Sequence, residues 1–310
     1  MPADPSTLSR ADRIGYRLSN AVISAFLRLV MLIPYHRRVP AMGWLMAFVA
    51  APLVGFRGRI RRNLEIAVPD MPDEEVQRLC RAVPDSIGRS LIEMFSGAEF
   101  RDQVKDTPMR GPGLAALEAA QDAGRPILIV SGHFGNFNAA RPTLVARGYE
   151  LGALYRRMAN PYFNETYVDA MEGISTPLFE QGRRGMSQLV RHLKSGKPTA
   201  ILTDLHAHGG RELSFFGRKA ITSVIPAELA LKYDALLVPI YGLRRNDGLS
   251  FEILVNEPIP HSDPTSMTQA INDDLERLVR AHMDQWFWVH RRWKPFFDLG
   301  LRPEELPEGY

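Results

Sequence analysis

Apolar residues in this chain follow two rhythms. Short unbroken runs read as buried strands, and longer stretches with apolar positions three and four apart read as helices. Residues 127–130 are the clearest run, ending abruptly at Ser131-Gly132, and further strands are predicted at 151–155, 199–202, 236–241 and 249–255. Asp247-Gly248 joins the last two and is a hairpin signal. Helical spacing lies between the runs at residues 139–147, 161–173, 185–195 and 226–233, with Gly148 and Gly196 closing the first and third. Upstream, residues 63–105 read as helices broken by the turn Pro69-Asp70-Met71-Pro72. Asp73, Glu74 and Glu75 fall in the first turn of the next helix, and 87–100 is predicted as a separate one. An alanine-rich helix at 114–123 follows the Gly111-Pro112-Gly113 loop and leads into the first strand. Strands alternating with helices predict an α/β fold, a mixed central sheet flanked by helices.

The first 62 residues differ in character. Residues 1–12 are polar and expected to be loose. Residues 14–33 are helical and mostly apolar, and Pro34 ends them. A basic cluster at Tyr35-His36-Arg37-Arg38 precedes an uncharged stretch at 39–56, and a second cluster at 57–62 follows it. The uncharged stretch is near the lower limit for a bilayer span, and basic clusters on both sides give no orientation. No small-residue cleavage site makes the segment a secretory signal. We read residues 1–62 as a helical anchor lying in a membrane interface, with a pair of core helices as the competing reading. Residues 63–310 form the α/β domain, and the chain is long enough for a substantial core.

Charge supports that division. The net charge of the 310-residue chain is +3, yet residues 1–62 carry ten arginines against two aspartates. A basic, apolar segment on a near-neutral body suits an anionic membrane surface. Nucleic acid would suit it too, but no nucleic-acid module is recognisable. Cys80 is the only cysteine, which excludes an internal disulfide and a cysteine-based metal cage.

The chemistry centres on His133, in the Gly-containing turn beyond residues 127–130, which is expected to open a helix. A titratable group at the carboxyl end of a buried strand is well placed for catalysis. A histidine in a turn is otherwise unremarkable. Ser131 does not match the G-x-S-x-G nucleophile elbow. Asp204-Leu205-His206-Ala207-His208 offers three potential ligands but no further metal ligand.

His133-Phe134-Gly135-Asn136-Phe137-Asn138 resembles the H-x4-D/E box of the glycerolipid acyltransferases, in the form used by the late acyltransferases of bacterial lipid A biosynthesis. Matching blocks follow in the family's order: Tyr155-Arg156-Arg157-Met158-Ala159-Asn160-Pro161, Gly182-Arg183-Arg184-Gly185, Leu202-Thr203-Asp204, Phe215-Phe216-Gly217, Val238-Pro239-Ile240-Tyr241-Gly242 and the run from Trp286 to Lys294. The resemblance covers residues 10–295. It departs at position 138, which is Asn where the family has Asp or Glu.

The resemblance implies an acyl transfer from a thioester, carried by acyl carrier protein or coenzyme A, to a lipid hydroxyl. No cofactor is implied beyond that co-substrate. His133 takes the role of general base. Asn138 can orient the ring but cannot supply negative charge. Either Asp204, just past the 199–202 strand, provides the carboxylate, or the Asn leaves a slow, lipid-binding relative. Gly135 and Asn136 lie in the turn whose amides are candidates for the oxyanion, as are Arg156 and Arg157. Arg183, Arg184 and Arg211 are candidates for binding phosphates. The aromatic, basic block at 286–293 suits a buried terminal helix or a membrane-facing entrance. The expected acceptor is a lipid A precursor, with a lyso-aminolipid or lysophospholipid as the alternative. The expected location is the cytoplasmic face of the bacterial inner membrane, peripheral or monotopic.

Overall fold

The computed structural model describes residues 8–294. Part of the loose leader predicted for 1–12, namely 1–7, lies outside them. The chain opens with α1 (Arg10–Met31), α2 (Tyr35–Leu45), a π-helical turn at Met46–Ala50, α3 (Ala51–Leu53) and α4 (Phe56–Ala67). Next come α5 (Asp73–Phe95), α6 (Ala98–Val104), β1 (Met109–Arg110), α7 (Leu114–Asp122), β2 (Ile127–Ser131) and α8 (Ala140–Val145). β3 (Gly152–Tyr155), α9 (Pro161–Ile174), β4 (Leu178–Glu180), α10 (Arg183–Lys194) and β5 (Thr199–Leu202) alternate regularly. A hairpin of β6 (Arg211–Phe215) and β7 (Arg218–Thr222) precedes α11 (Ile225–Lys232), β8 (Leu236–Arg244), β9 (Phe251–Val255) and α12 (Pro264–Ala281).

The seven-stranded sheet has the order β1-β9-β8-β2-β5-β3-β4. It is parallel except where β8 meets β9 through the predicted Asp247-Gly248 turn, so the sheet is mixed as expected. β2 lies at its centre with all five residues buried, which explains why its sequence is an apolar run rather than an alternation. Helices cover both faces, and Ile127, Ile129, Val238, Ile240 and Ile253 form one core with α7 and α8. Val30, Val39 and Met42 of the first two helices join that same core.

Three local predictions differ from the structure, and strands β1, β4, β6 and β7 were not predicted. α5 runs unbroken through Pro84 to Phe95, and the chain breaks instead at Gly97, whose φ of +50° no helix accommodates. His133 does not open a helix directly: an irregular turn is pinned to neighbouring strands and α8 starts only at Ala140. Residues 286–293 are not helical. Asn63 clamps the carbonyls of Trp288 and His290, and Trp286 bridges Phe134 like a strand. The two-residue turn of the β6–β7 hairpin puts Phe216 and Gly217 at φ +55° and +67°, the I′ geometry that matches strand twist. The Phe216 ring packs on Trp288 and Trp293, and its N–H donates to Glu276, which holds a non-glycine residue in that conformation.

Candidate active site

Strand register builds the site. β2 and β5 are parallel neighbours with Ser131 opposite Leu202. His133 and Asp204 each lie two residues beyond that pair, so both leave the sheet at the same edge, side by side. His133 Nδ1 is 2.9 Å from Asp204 Oδ1, and the His133 backbone N–H donates to Oδ2 at 2.8 Å. The indole N–H of Trp286 donates to the same Oδ2 at 2.9 Å. Gly132 permits this approach: a Cβ there would lie 2.9 Å from Leu275 and 3.4 Å from the Asp204 carboxyl carbon.

The two groups are exposed very differently. The Asp204 side chain is 1% exposed and that of His133 24%. Burial by itself would raise the Asp204 carboxyl. The His133 charge and the donors from His133 and Trp286 outweigh it and hold the group at about 2, so it is a carboxylate throughout the physiological range. Because Asp204 accepts at Nδ1, the tautomer it favours carries its proton there and leaves Nε2 as a base. Phe137 and Phe287 flank the imidazole with ring centroids at 5.3 and 5.8 Å.

Further charge surrounds the pair. Arg292 is fully buried, donating to the Ile221 carbonyl and Thr222 hydroxyl. Burial lowers its guanidinium to about 10 against the raising effect of Asp204, so it remains charged. His290 accepts the His206 backbone N–H at 2.9 Å. Burial chiefly lowers it to about 4, opposed by Asp204, so it is neutral.

His133 opens into a cavity of about 140 Å³. One wall is a stripe of α5, with Val83, Ile87, Leu91 and Met94 at three- and four-residue spacing and Ser86 and Ser90 beside them. Gly135, Phe137, Asn138, Gln285, Trp286 and Phe287 complete it. It is mostly apolar, with the imidazole among its few polar groups.

Asn138 lines the cavity, but its side-chain oxygen meets Arg141 at 3.4 Å and makes no bond to His133. Arg141 is buried, donates also to the Ser175 carbonyl, and has no carboxylate partner among the described residues. The Gly135 and Asn136 amides donate to Gln285 O and Gly242 O, so they hold the turn rather than face the cavity. The Asn136 side chain donates to Glu93, itself paired with Arg244, and accepts the Asn138 N–H. Arg156 and Arg157 follow β3, and Arg183 and Arg184 open α10 beyond β4. All four stand along the sheet edge that carries His133, but none lines the cavity. Arg211 is exposed at the start of the β6 hairpin.

Sequence reasoning missed Trp286 as a partner of Asp204, the α5 stripe and the Glu93–Arg244 pair. The four-residue spacing of Val83, Ile87 and Leu91 was the only available signal, and it marks an apolar face without naming what faces it. The predicted aromatic block proves to be core, since Trp286, Trp288 and Trp293 are at most 1% exposed.

Residues 11–295 match the family described as bacterial lipid A biosynthesis acyltransferase. The chain is 25% identical over 258 residues, 81% of each protein, to the lipid A biosynthesis lauroyltransferase of Escherichia coli (strain K12). It is 24% identical over 241 residues, 76% of each, to the phosphatidylinositol mannoside acyltransferase of Mycobacterium tuberculosis (strain ATCC 25618 / H37Rv). It is 24% identical over 295 residues, 91% of this chain and 90% of the other, to a lipid A biosynthesis acyltransferase of Haemophilus influenzae.

Proposed function

The chain belongs to the bacterial lipid A biosynthesis acyltransferase family and is an acyltransferase, and from that premise we propose that His133 is the general base of an O-acyl transfer onto a lipid hydroxyl. The observation that carries the reading is the Asp204–His133 pair, with His133 lining an apolar cavity. A hydroxyl is a poor nucleophile at neutral pH. Nε2 takes its proton as the oxygen attacks the thioester carbonyl, and Asp204 balances the imidazolium that forms. The tetrahedral oxyanion then collapses, the carbon–sulfur bond breaks, and the thiolate recovers the proton from the imidazolium. An ester and a free thiol result, with no cofactor required. The α5 stripe provides apolar lining for an acyl chain.

The donor in this reading is acyl carrier protein or coenzyme A thioester. The acceptor is a lipid A precursor, as the names of the relatives suggest, or a lyso-lipid. Arg156, Arg157, Arg183 and Arg184 are placed to meet anionic groups along the sheet edge, and Arg211 to do so from the hairpin. The activity is assigned to the cytoplasmic face of the bacterial inner membrane. Its anchor is α1 and the segment after it, where Leu18, Val22, Leu29, Leu32 and Leu53 stand at least 62% exposed beside arginines. No single helix among the described residues is long and apolar enough to cross a membrane. The bent pair Tyr35–Leu53 and Phe56–Ala67, at 88°, suffices by length and composition alone. Lipid profiling of cells lacking the protein tests the reading: one acylated lipid disappears and its hydroxyl-bearing form accumulates. An unchanged lipid profile would overturn it.

A further inference from the structure

We propose that the cleft between the first turn of α4 and the facing side of α5 binds the phosphate of a substrate. The cleft has a volume of about 220 Å³ and is lined by Arg57, Gly58, Arg61, Gln77, Cys80 and Arg81. Three arginines therefore line it, and no carboxylate residue does.

Each arginine has spare donors. Arg57 gives one Nη to the Ala47 carbonyl at 2.9 Å, and its other Nη has no partner among the described residues. Arg61 reaches Asp73 at 3.2 Å, but that carboxylate is 84% exposed and holds the arginine weakly. Arg81 is exposed and pairs with no carboxylate among the described residues. The backbone adds to this. α4 starts at Gly55 with no side-chain cap, so its first amides and the positive end of its dipole are uncompensated. A Cβ on Gly58 would meet nothing within 4 Å, so an anion can reach the backbone there. Fork-shaped donors beside a helix amino terminus suit a phosphate ester.

The cleft and the catalytic cavity border a common trough. A larger trough of about 890 Å³ shares Gln77 and Arg81 with the cleft, and Ser86 and Gln285 with the cavity that holds His133. Arg81 and Ser90 are both on α5, about 13 Å apart along its axis at 1.5 Å per residue. The trough itself carries both signs, with Glu74, Asp85 and Asp284 among its arginines, so selectivity for an anion is concentrated in the cleft. Two substrate classes place a phosphate at a distance from the reacting atom: a thioester on a phosphopantetheine arm and a phosphorylated lipid. The exposed apolar residues Phe48, Leu53 and Val54 just before Arg57 bring the cleft to the membrane-facing side for the second. The source of the phosphate rests on the acyltransferase reading, whereas anion binding does not.

The test uses the full chain in uncharged detergent, with Arg61→Gln/Arg81→Gln as the variant and Arg81→Glu alone as a second. Calorimetry compares coenzyme A with pantetheine, which lacks the phosphates, and flotation compares phosphatidylcholine vesicles with and without phosphatidic acid. A donor phosphate predicts that the wild type prefers coenzyme A and that both variants lose that binding by roughly 10- to 100-fold, the loss of charge-assisted bonds. A lipid phosphate predicts the same loss for the phosphatidic acid vesicles alone. Variants that match the wild type in both arms overturn the proposal. His133→Ala keeps wild-type binding in either case. Absence of transfer by the wild type with every thioester would count against the acyltransferase chemistry and leave the binding result standing.

Discussion

Asp204→Asn tests the catalytic geometry most sharply, because the structure dictates which way the new amide turns. Oδ2 receives two donors, the His133 N–H at 2.8 Å and the Trp286 indole N–H at 2.9 Å, so the amide oxygen takes that position. The NH₂ then faces His133 Nδ1, 2.9 Å from the present Oδ1. Nδ1 must accept, the ring proton moves to Nε2, and the base is lost. The opposite flip leaves two buried donors unpaired at about 1–3 kcal/mol each, a bias of roughly 2–6 kcal/mol. That alone corresponds to a loss of about 30- to 10⁴-fold, before the missing stabilisation of the imidazolium is added. The same replacement in a serine-protease triad costs about 10⁴ in kcat. We expect kcat for transfer of a labelled acyl chain to fall roughly 10³-fold or more, with a nearly unchanged KM for the thioester. Circular dichroism should confirm an intact fold. A folded variant within about tenfold of wild type would refute the tautomer argument.

Other changes separate further parts of the account. Asn138→Asp puts a carboxylate beside the buried Arg141, not beside His133. Activity should change less than about tenfold, while thermal stability rises by on the order of 1 kcal/mol; a gain of several orders in rate would mean that Asn138 silences the enzyme. Glu93→Gln strands the buried Arg244 and frees the Asn136 turn, and should cost about 3–5 kcal/mol in urea unfolding. The pH dependence follows from Asp204. Its folded value of about 2 lies below the ordinary 3.8, so its contribution of about 2 kcal/mol is present above pH 3.8 and lost as pH falls through 2. Denaturation of wild type and Asp204→Asn across that window should show the difference between them shrinking by that amount; parallel curves would contradict it.

Much of this architecture was legible because buried parallel strands leave unbroken apolar runs. Thr199–Leu202 and the strand before His133 could be read directly, and their equal offsets to His133 and Asp204 became a contact once the register was known. What escaped depends on residues remote in sequence. The Trp286–Asp204 bond and the Glu93–Arg244 pair join positions 82 and 151 residues apart, and no local pattern encodes them. The β6–β7 hairpin escaped because charged Arg211, Glu212, Arg218 and Lys219 mask its alternation, and its turn holds Phe216 only through contacts with distant tryptophans. Position 138 shows the limit of reading by resemblance. Asn at a carboxylate position suggested a weakened dyad, whereas in the fold its neighbour is Arg141 and the histidine's carboxylate neighbour comes from the adjacent strand.

The most direct measurement is single-turnover acyl transfer with donor and acceptor saturating, comparing wild type with His133→Ala after donor binding is verified for both. Normal binding and a chemical step slower by about 10²–10⁴-fold are expected of the variant. A variant that binds and transfers at the wild-type rate would contradict the assignment of His133 as the base.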